Sequence, residues 1–245
     1  MSKAYIYEQK SILKTARIWL DANNAASLGN PVNDDPISQW NDISGSGDNA
    51  TQTTPTRQPL YKTNAINGLP ALRFDGINDF MLANGIASVA DDSHTIFIVM
   101  KMGAVGSDGE AIIAWNSAGG DNTEVLYIYG TSQAAPGQIV RFVGGSFDLI
   151  LDQDIRNSTS LLTFVVDFGA TTNDITSYLN GIENLTVNSA NPNAGTTFSI
   201  GQEYDGTSPS NFLTGDIGEI IIFDRVLQES QRKAIEAYLS NKWSI

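Results

Sequence analysis

The sequence contains no cysteine and a single histidine, His94. The first absence excludes a disulfide framework, thiol catalysis and cysteine-ligated metal. The second leaves no set of imidazoles for a zinc site. Charged residues are scarce at 17%, and acids outnumber bases 27 to 14, giving a net charge of -13. That balance argues against a nucleic acid partner, whose phosphates would be repelled, and is compatible with divalent cations. No apolar run approaches the length of a membrane span, and no secretory h-region opens the chain, so membrane insertion is not expected. Helical periodicity is also nearly missing.

Gly, Asn, Asp, Ser and Thr are abundant instead, as in proteins with many turns between short strands. Apolar and alternating runs predict strands at 17–21, 71–74, 80–82, 95–102, 110–115, 124–129, 138–143, 147–151, 161–168, 175–179, 182–187, 198–202 and 217–223. Asn180-Gly181, between two such runs, is a strong hairpin signal. Residues 22–60 are polar and carry Pro31, Pro36, Pro55 and Pro59, so a long loop is expected there, pinned to the core by Trp40 and Ile43. The glycines of this loop are not followed by the Lys-Ser/Thr pair of a phosphate-binding loop. With 245 residues, no repeat and no linker, the expected fold is all-β. It is an antiparallel two-sheet jelly-roll sandwich with one C-terminal α-helix.

That helix follows the strand 217–223. Ile235, Leu239 and Trp243 recur every four residues, with Ala234 and Tyr238 on the same face. Glu229, Arg232, Lys233 and Glu236 fall opposite and are expected in solvent. At the other end, Lys3, Lys10, Lys14 and Arg17 against Glu8 give residues 1–17 a charge of +3. Residues 1–16 read as an arm, 17–245 as the domain. The arm either packs on its own domain or docks electrostatically on other proteins of an assembly.

Several stretches are similar to a known group of folds. W-L-D-A at 19–22, W-N-D-I-S-G-S-G at 40–47, N-G-L-P-A-L-R-F-D-G-I-N-D at 67–79 and the closing G-D-I-G-E-I-I-I-F-D-R-V-L resemble the laminin-G-like/concanavalin-A-like jelly-roll superfamily. Residues 198–218, F-S-I-G-Q-E-Y-D-G-T-S-P-S-N-F-L-T-G-D-I-G, resemble the calcium-bearing segment of pentraxins. Carried over, the resemblance implies Ca²⁺ ligands at Glu203, Tyr204 (through its carbonyl), Asp205 and Asn211, with Asn78 and Asp79 from a distant loop. The last pair stands in reversed order relative to the pentraxin pattern. Carboxylates, amides and carbonyls on loops are the oxygen donors Ca²⁺ takes.

Enzymatic signals are weak. The glucanase pattern E-x-D-x-x-E is absent, Glu203-x-Asp205 lacks a third acid, and Asp216-x-x-Glu219 has the wrong spacing for one strand face. Glu219 reads as a strand-end acid bonded to a loop. Tyr204, Phe212 and Tyr61 are expected in loops, where they could stack on a sugar ring. The expectation is thus a non-catalytic carbohydrate or cell-surface recognition module on a virion or microbial surface. A purely structural decoration protein is the alternative, and a glycoside hydrolase the third reading. A homo-oligomer is left open.

Overall fold

A computed structural model describes the chain except residues 1–8, 84, 87–88, 90–91, 107, 117–121, 133–135, 144–145, 170–172, 189–194 and 206. The side chains of 122–123, 142–143, 146–147, 173 and 205 also lie outside the described set. A short helix, α1, occupies residues 9–13. The strands are β1 (Ile18–Asp21), β2 (Gln39–Trp40), β3 (Ala50–Thr51), β4 (Leu60–Ile66), β5 (Leu69–Asp75), β6 (Met81–Ala83), β7 (His94–Met102), β8 (Glu110–Asn116) and β9 (Asn122–Ile128). They continue as β10 (Ile139–Val143), β11 (Ser146–Leu151), β12 (Thr159–Phe168), β13 (Asn173–Leu179), β14 (Ile182–Asn188), β15 (Thr197–Ile200), β16 (Glu203–Asp205), β17 (Ser208–Ser210) and β18 (Thr214–Phe223). The helix α2 (Glu229–Trp243) closes the chain.

One sheet runs β14-β13-β12-β7-β18-β5-β4, with β1 also on β18. The other runs β11-β10-β9-β8-β15-β6-β3-β2, and β16 and β17 form a separate hairpin. Every pairing is antiparallel, from β12 on β7 to β15 on β8. This is the expected two-sheet sandwich. Residues 22–60 depart from the long loop expected of them. They contribute β2 and β3 to a sheet edge, because Trp40 and Ala50 are fully buried and must satisfy their backbone groups in a ladder.

Side-chain alternation divides the buried apolar residues among three clusters, a small one on β8, β9 and β10 and two that flank β18. Ile96, Ile98, Met100, Leu162, Phe164, Ile217, Ile220 and Ile222 point between the sheets. Phe97, Val99, Leu161, Ile221 and Phe223 point outward under α2, beside Ile235, Leu239 and Trp243. Strand β18 is therefore buried on both faces, as a run that is apolar on both sides of its alternation except at Glu219 requires. Burying each large helix side chain contributes about 1.5–3 kcal/mol.

The helix has a wider covered face than its apolar stripe shows. Arg232 and Glu236, expected in solvent, are buried as an ion pair at 2.6 Å. The Arg232 guanidinium lies 3.7 Å from the centroid of the Tyr178 ring. The β13–β14 hairpin, turning at Asn180-Gly181 with both φ positive, supplies that cover. Glu229 and Lys233 do face solvent, paired at 2.5 Å.

Glu219 is likewise not a strand-end acid. It sits within β18, 1% exposed, and accepts from the indoles of Trp19 and Trp243 and from the Lys242 ammonium, each at 2.7 Å. Burial pushes its carboxyl up, assisted by the charge of Asp21, against the pull of Lys242.

Residues 9–16 pack on the domain. Ile12, Leu13 and Ala16 join the core under α2, and the Gln9 amide donates to the Ala234 carbonyl at 2.9 Å. Tyr5, Ile6 and Tyr7, whose residue types suit a strand, lie outside the described residues.

Candidate functional site

The site stands at the end of the sandwich where β5, β7, β15 and β18 meet their loops. Loop 75–79 is wound around one carboxylate. Asp75 Oδ1 accepts the N–H groups of Ile77, Asn78 and Asp79 at 2.8, 3.1 and 3.3 Å. Gly76 has a φ of +73°, and a Cβ there would lie 2.1 Å from Thr214 Oγ1. Glycine is thus required both for the left-handed turn and for the close approach to β18.

This loop and the 201–214 segment meet. The Gly76 N–H donates to the Leu213 carbonyl at 2.9 Å, and Leu213 N–H to the Gly201 carbonyl at 3.0 Å. Gly201 abuts Phe74 and the Asp79 carbonyl. Phe80 and Phe212 pack with ring centroids 6.4 Å apart. The two stretches that the resemblance pairs are therefore neighbours.

Their polar groups are unevenly satisfied. Asp79 is 5% exposed, and its Oδ2 accepts the Asp75 N–H at 3.2 Å. Burial first, then the charge of Asp75, pushes its carboxyl up to about 7. The buried Oδ1 of Asn78 has no hydrogen-bond partner. A buried acceptor without a donor costs about 1–3 kcal/mol, a cost a bound cation would remove. Glu203, also 5% exposed, accepts from Ser210 Oγ at 2.9 Å across the β16–β17 hairpin. Asn211, at φ +49°, spends its amide nitrogen on Tyr127 Oη at 2.6 Å and the Gly109 carbonyl at 3.3 Å. A cation would have to take its amide oxygen. The Asp205 side chain falls outside the described residues. Among the described residues no group of three or more His, Cys, Asp or Glu converges on one point.

A cavity of about 590 Å³ opens beside these loops, lined by Gly76, Gly106, Asp108, Glu110, Asn211 and Phe212 among others. Glu110 organises it, and sequence reasoning did not single it out. Its carboxylate accepts Gly106 N–H at 3.0 Å, Thr214 N–H at 2.5 Å and Thr214 Oγ1 at 3.0 Å. So engaged, it fixes three segments and is poorly placed to move a proton. Phe212 is half-buried at this cavity and Tyr204 half-buried in β16. Tyr61 is a correction. It lies in β4, 4% exposed within the inter-sheet core, because β4 begins at Leu60 and its pairing with β5 sets Tyr61 opposite Leu72 with the ring turned inward. His94 is fully buried, its Nδ1 2.7 Å from the Asp92 carbonyl, and desolvation pulls its pKa down. It belongs to the core.

The fold and this loop-borne end define a jelly-roll sandwich of lectin-like class. Residues 75–231 match the model of the concanavalin A-like lectin/glucanases superfamily, and the chain belongs to that family. Among solved structures, it is similar to domain 4 of AbnA, a GH43 extracellular arabinanase from Geobacillus stearothermophilus, in complex with arabinotriose. The TM-score there is 0.62 at 13% identity, covering 91% of this chain and 97% of that one. It is similar to botulinum neurotoxin type C, which depends on two ganglioside molecules to enter cells. That match has a TM-score of 0.63 at 15% identity, over 94% of this chain and 52% of the other. It is similar to Trypanosoma rangeli sialidase, with a TM-score of 0.57 and 12% identity, over 92% of this chain but 33% of the sialidase. The chain thus spans a third of the sialidase and about half of the toxin chain. A search of curated proteins finds no match. No helix among the described residues is long and apolar enough to cross a membrane.

Proposed function

We propose that the chain is a non-catalytic glycan-binding module whose loops 75–79 and 203–214 bind Ca²⁺ and present a sugar site beside it. The observation that carries this reading is the pair of neighbouring loops with an unsatisfied Asn78 oxygen and a buried, proton-hungry Asp79. Asn78, Asp79, Glu203, the Tyr204 carbonyl, Asp205 and Asn211 are the ligands. Bound Ca²⁺ supplies a hard positive centre that orders oxygen donors and can accept sugar hydroxyls. Phe212 and Tyr204 flank the site as stacking surfaces. The cavity volume is within the range of small-ligand sites. Complexes of similar domains with arabinotriose and dependence on gangliosides support the substrate class. The tied-up carboxylate of Glu110 supports recognition over hydrolysis.

In this reading the module faces outward from a virion or microbial surface, and the basic residues ahead of Arg17 link it to that assembly. A glycan array run in millimolar Ca²⁺ and in chelator tests the core of the proposal. Wild type binds in Ca²⁺ and loses binding in chelator. Asp79→Asn with Asp205→Asn is silent in both. A wild-type array blank in both conditions overturns the glycan reading and leaves a structural decoration protein.

A further inference from the structure

A second, smaller cleft lies around the corner on the outer face of the β18 sheet. It measures about 280 Å³ and is lined by Arg73, Lys101, Asn157 and Asp216, with Gly103 and Thr214 at the end nearest the candidate site. Arg73, Asp216 and Lys101 stand in one cross-strand row, on β5, β18 and β7. Helix α2 covers the same face further along, where Trp243 rests on Gly218, and this row lies beyond it.

The charges in the row are not balanced. Arg73 takes both Asp216 oxygens in a bidentate pair, Nε at 2.7 Å and Nη2 at 2.8 Å. That pairing raises the guanidinium pKa further and leaves Nη1 uncommitted. The Arg73 side chain remains 48% exposed. Lys101 is exposed, and the acid beside it is already occupied. From Arg17 onward, among the described residues, Lys101 and Arg57 are the cations with no carboxylate partner. Arg57 lies over the Phe80 ring at 5.9 Å. Lys101 thus leaves an exposed ammonium beside a guanidinium whose carboxylate is already taken. Asn157, exposed and held at φ +55°, adds an amide to the same rim.

We infer that this cleft binds the carboxylate of an acidic sugar, so that the module reads charged glycans. The inference rests on the glycan reading above and names its substrate class. Lys101 supplies the charge, and the outward N–H groups of Arg73 and the Asn157 amide supply directional donors. The volume admits one sugar ring, near the lower bound of ligand pockets. Thr214 ties the cleft to the Ca²⁺ end. It lines the cleft, and its N–H and hydroxyl donate to Glu110, which lines the larger cavity. One acidic residue of a longer glycan can therefore sit here while a neutral residue sits beside Phe212.

Titration calorimetry of the full chain with glucuronate, glucose and inorganic phosphate tests this. Glucuronate should bind roughly tenfold tighter than either of the others, and less tightly as NaCl is raised. Lys101→Gln should weaken glucuronate roughly fivefold with an unchanged melting temperature, since Lys101 is exposed, and Lys101→Arg should retain binding. Equal affinity for glucuronate and glucose, no glucuronate binding at tens of millimolar, or no effect of Lys101→Gln overturns the inference. Phosphate binding as well as glucuronate also overturns it, because the cleft would then read a bare anion. Calcium-dependent array binding with no preference for acidic glycans removes this inference and leaves the module reading intact. Glucuronate binding with a chelator-insensitive array does the reverse.

Discussion

Asp79 offers the sharpest test, because the fold holds it in a state it would abandon in water. A carboxyl that ordinarily titrates near 3.8 titrates at about 7 here, through burial and the nearby charge of Asp75. The folded chain therefore binds this proton more tightly than the unfolded chain. Stability must fall as pH rises from about 4 to about 7, and stay low above that. The difference is worth about 4 kcal/mol at full weight. Screening through the solvent side of the loop reduces it to about 2 kcal/mol. For a domain of this size that is about 4–8 °C in melting temperature. Asp79→Asn removes the charge and keeps an acceptor for the Asp75 N–H. In chelator at pH 8 the variant should melt higher than wild type by that margin, and at pH 5 the gap should shrink. Saturating Ca²⁺ should raise wild type at pH 8, by about 2.7 kcal/mol at a hundredfold excess over the dissociation constant, and leave the variant unmoved. Calorimetry of both proteins at two pH values, with and without Ca²⁺, measures every term. If wild type minus variant is the same at pH 5 and pH 8, the account of Asp79 is wrong. If the pH term holds but Ca²⁺ moves neither protein, the metal site alone is refuted.

Two further predictions concern the cover of the β18 sheet. Leu13→Ala should cost about 2–5 kcal/mol by chemical denaturation, because Leu13 is 1% exposed in the core under α2, and a neutral result would mean that residues 9–16 only rest on the surface. Gly218→Ala should cost about 1–3 kcal/mol, since its Cβ would lie 2.6 Å from the Trp243 ring; an unchanged melting temperature would show that α2 is free to shift.

Much of this protein follows from the sequence because strand period and turn chemistry act locally. The run at 217–223 is apolar on both sides of its alternation apart from Glu219, which points to burial on both faces. Asn180-Gly181 had to turn, since both residues adopt positive φ at low cost. The stripe Ile235, Leu239 and Trp243 fixed which side of α2 faces the sheet. Segment 22–60 hides β2 and β3, because two-residue strands leave no periodic signal. The site was half legible. Asn78, Asp79, Glu203 and Asn211 could be named as candidates from a motif, but not the neighbours that surround them. Burial of Asp79 depends on the segment that follows β15 arriving from elsewhere in the chain, with Gly201 set against Phe74 and the Asp79 carbonyl.

The charged pairs that join different strands belong to tertiary structure. Glu124 and Arg141 meet at 2.5 Å between the sheets, fully buried, although nothing local to either marks it as interior. Glu219 finds two indoles and a lysine because β1, β18 and α2 converge on it. Arg73 pairs with Asp216 across 143 residues and leaves Lys101 exposed without an acid. A strand's sequence dictates its period and its turns, which are properties of neighbouring residues. Which charge meets which is set by register and sheet order, and those exist only once the chain has folded.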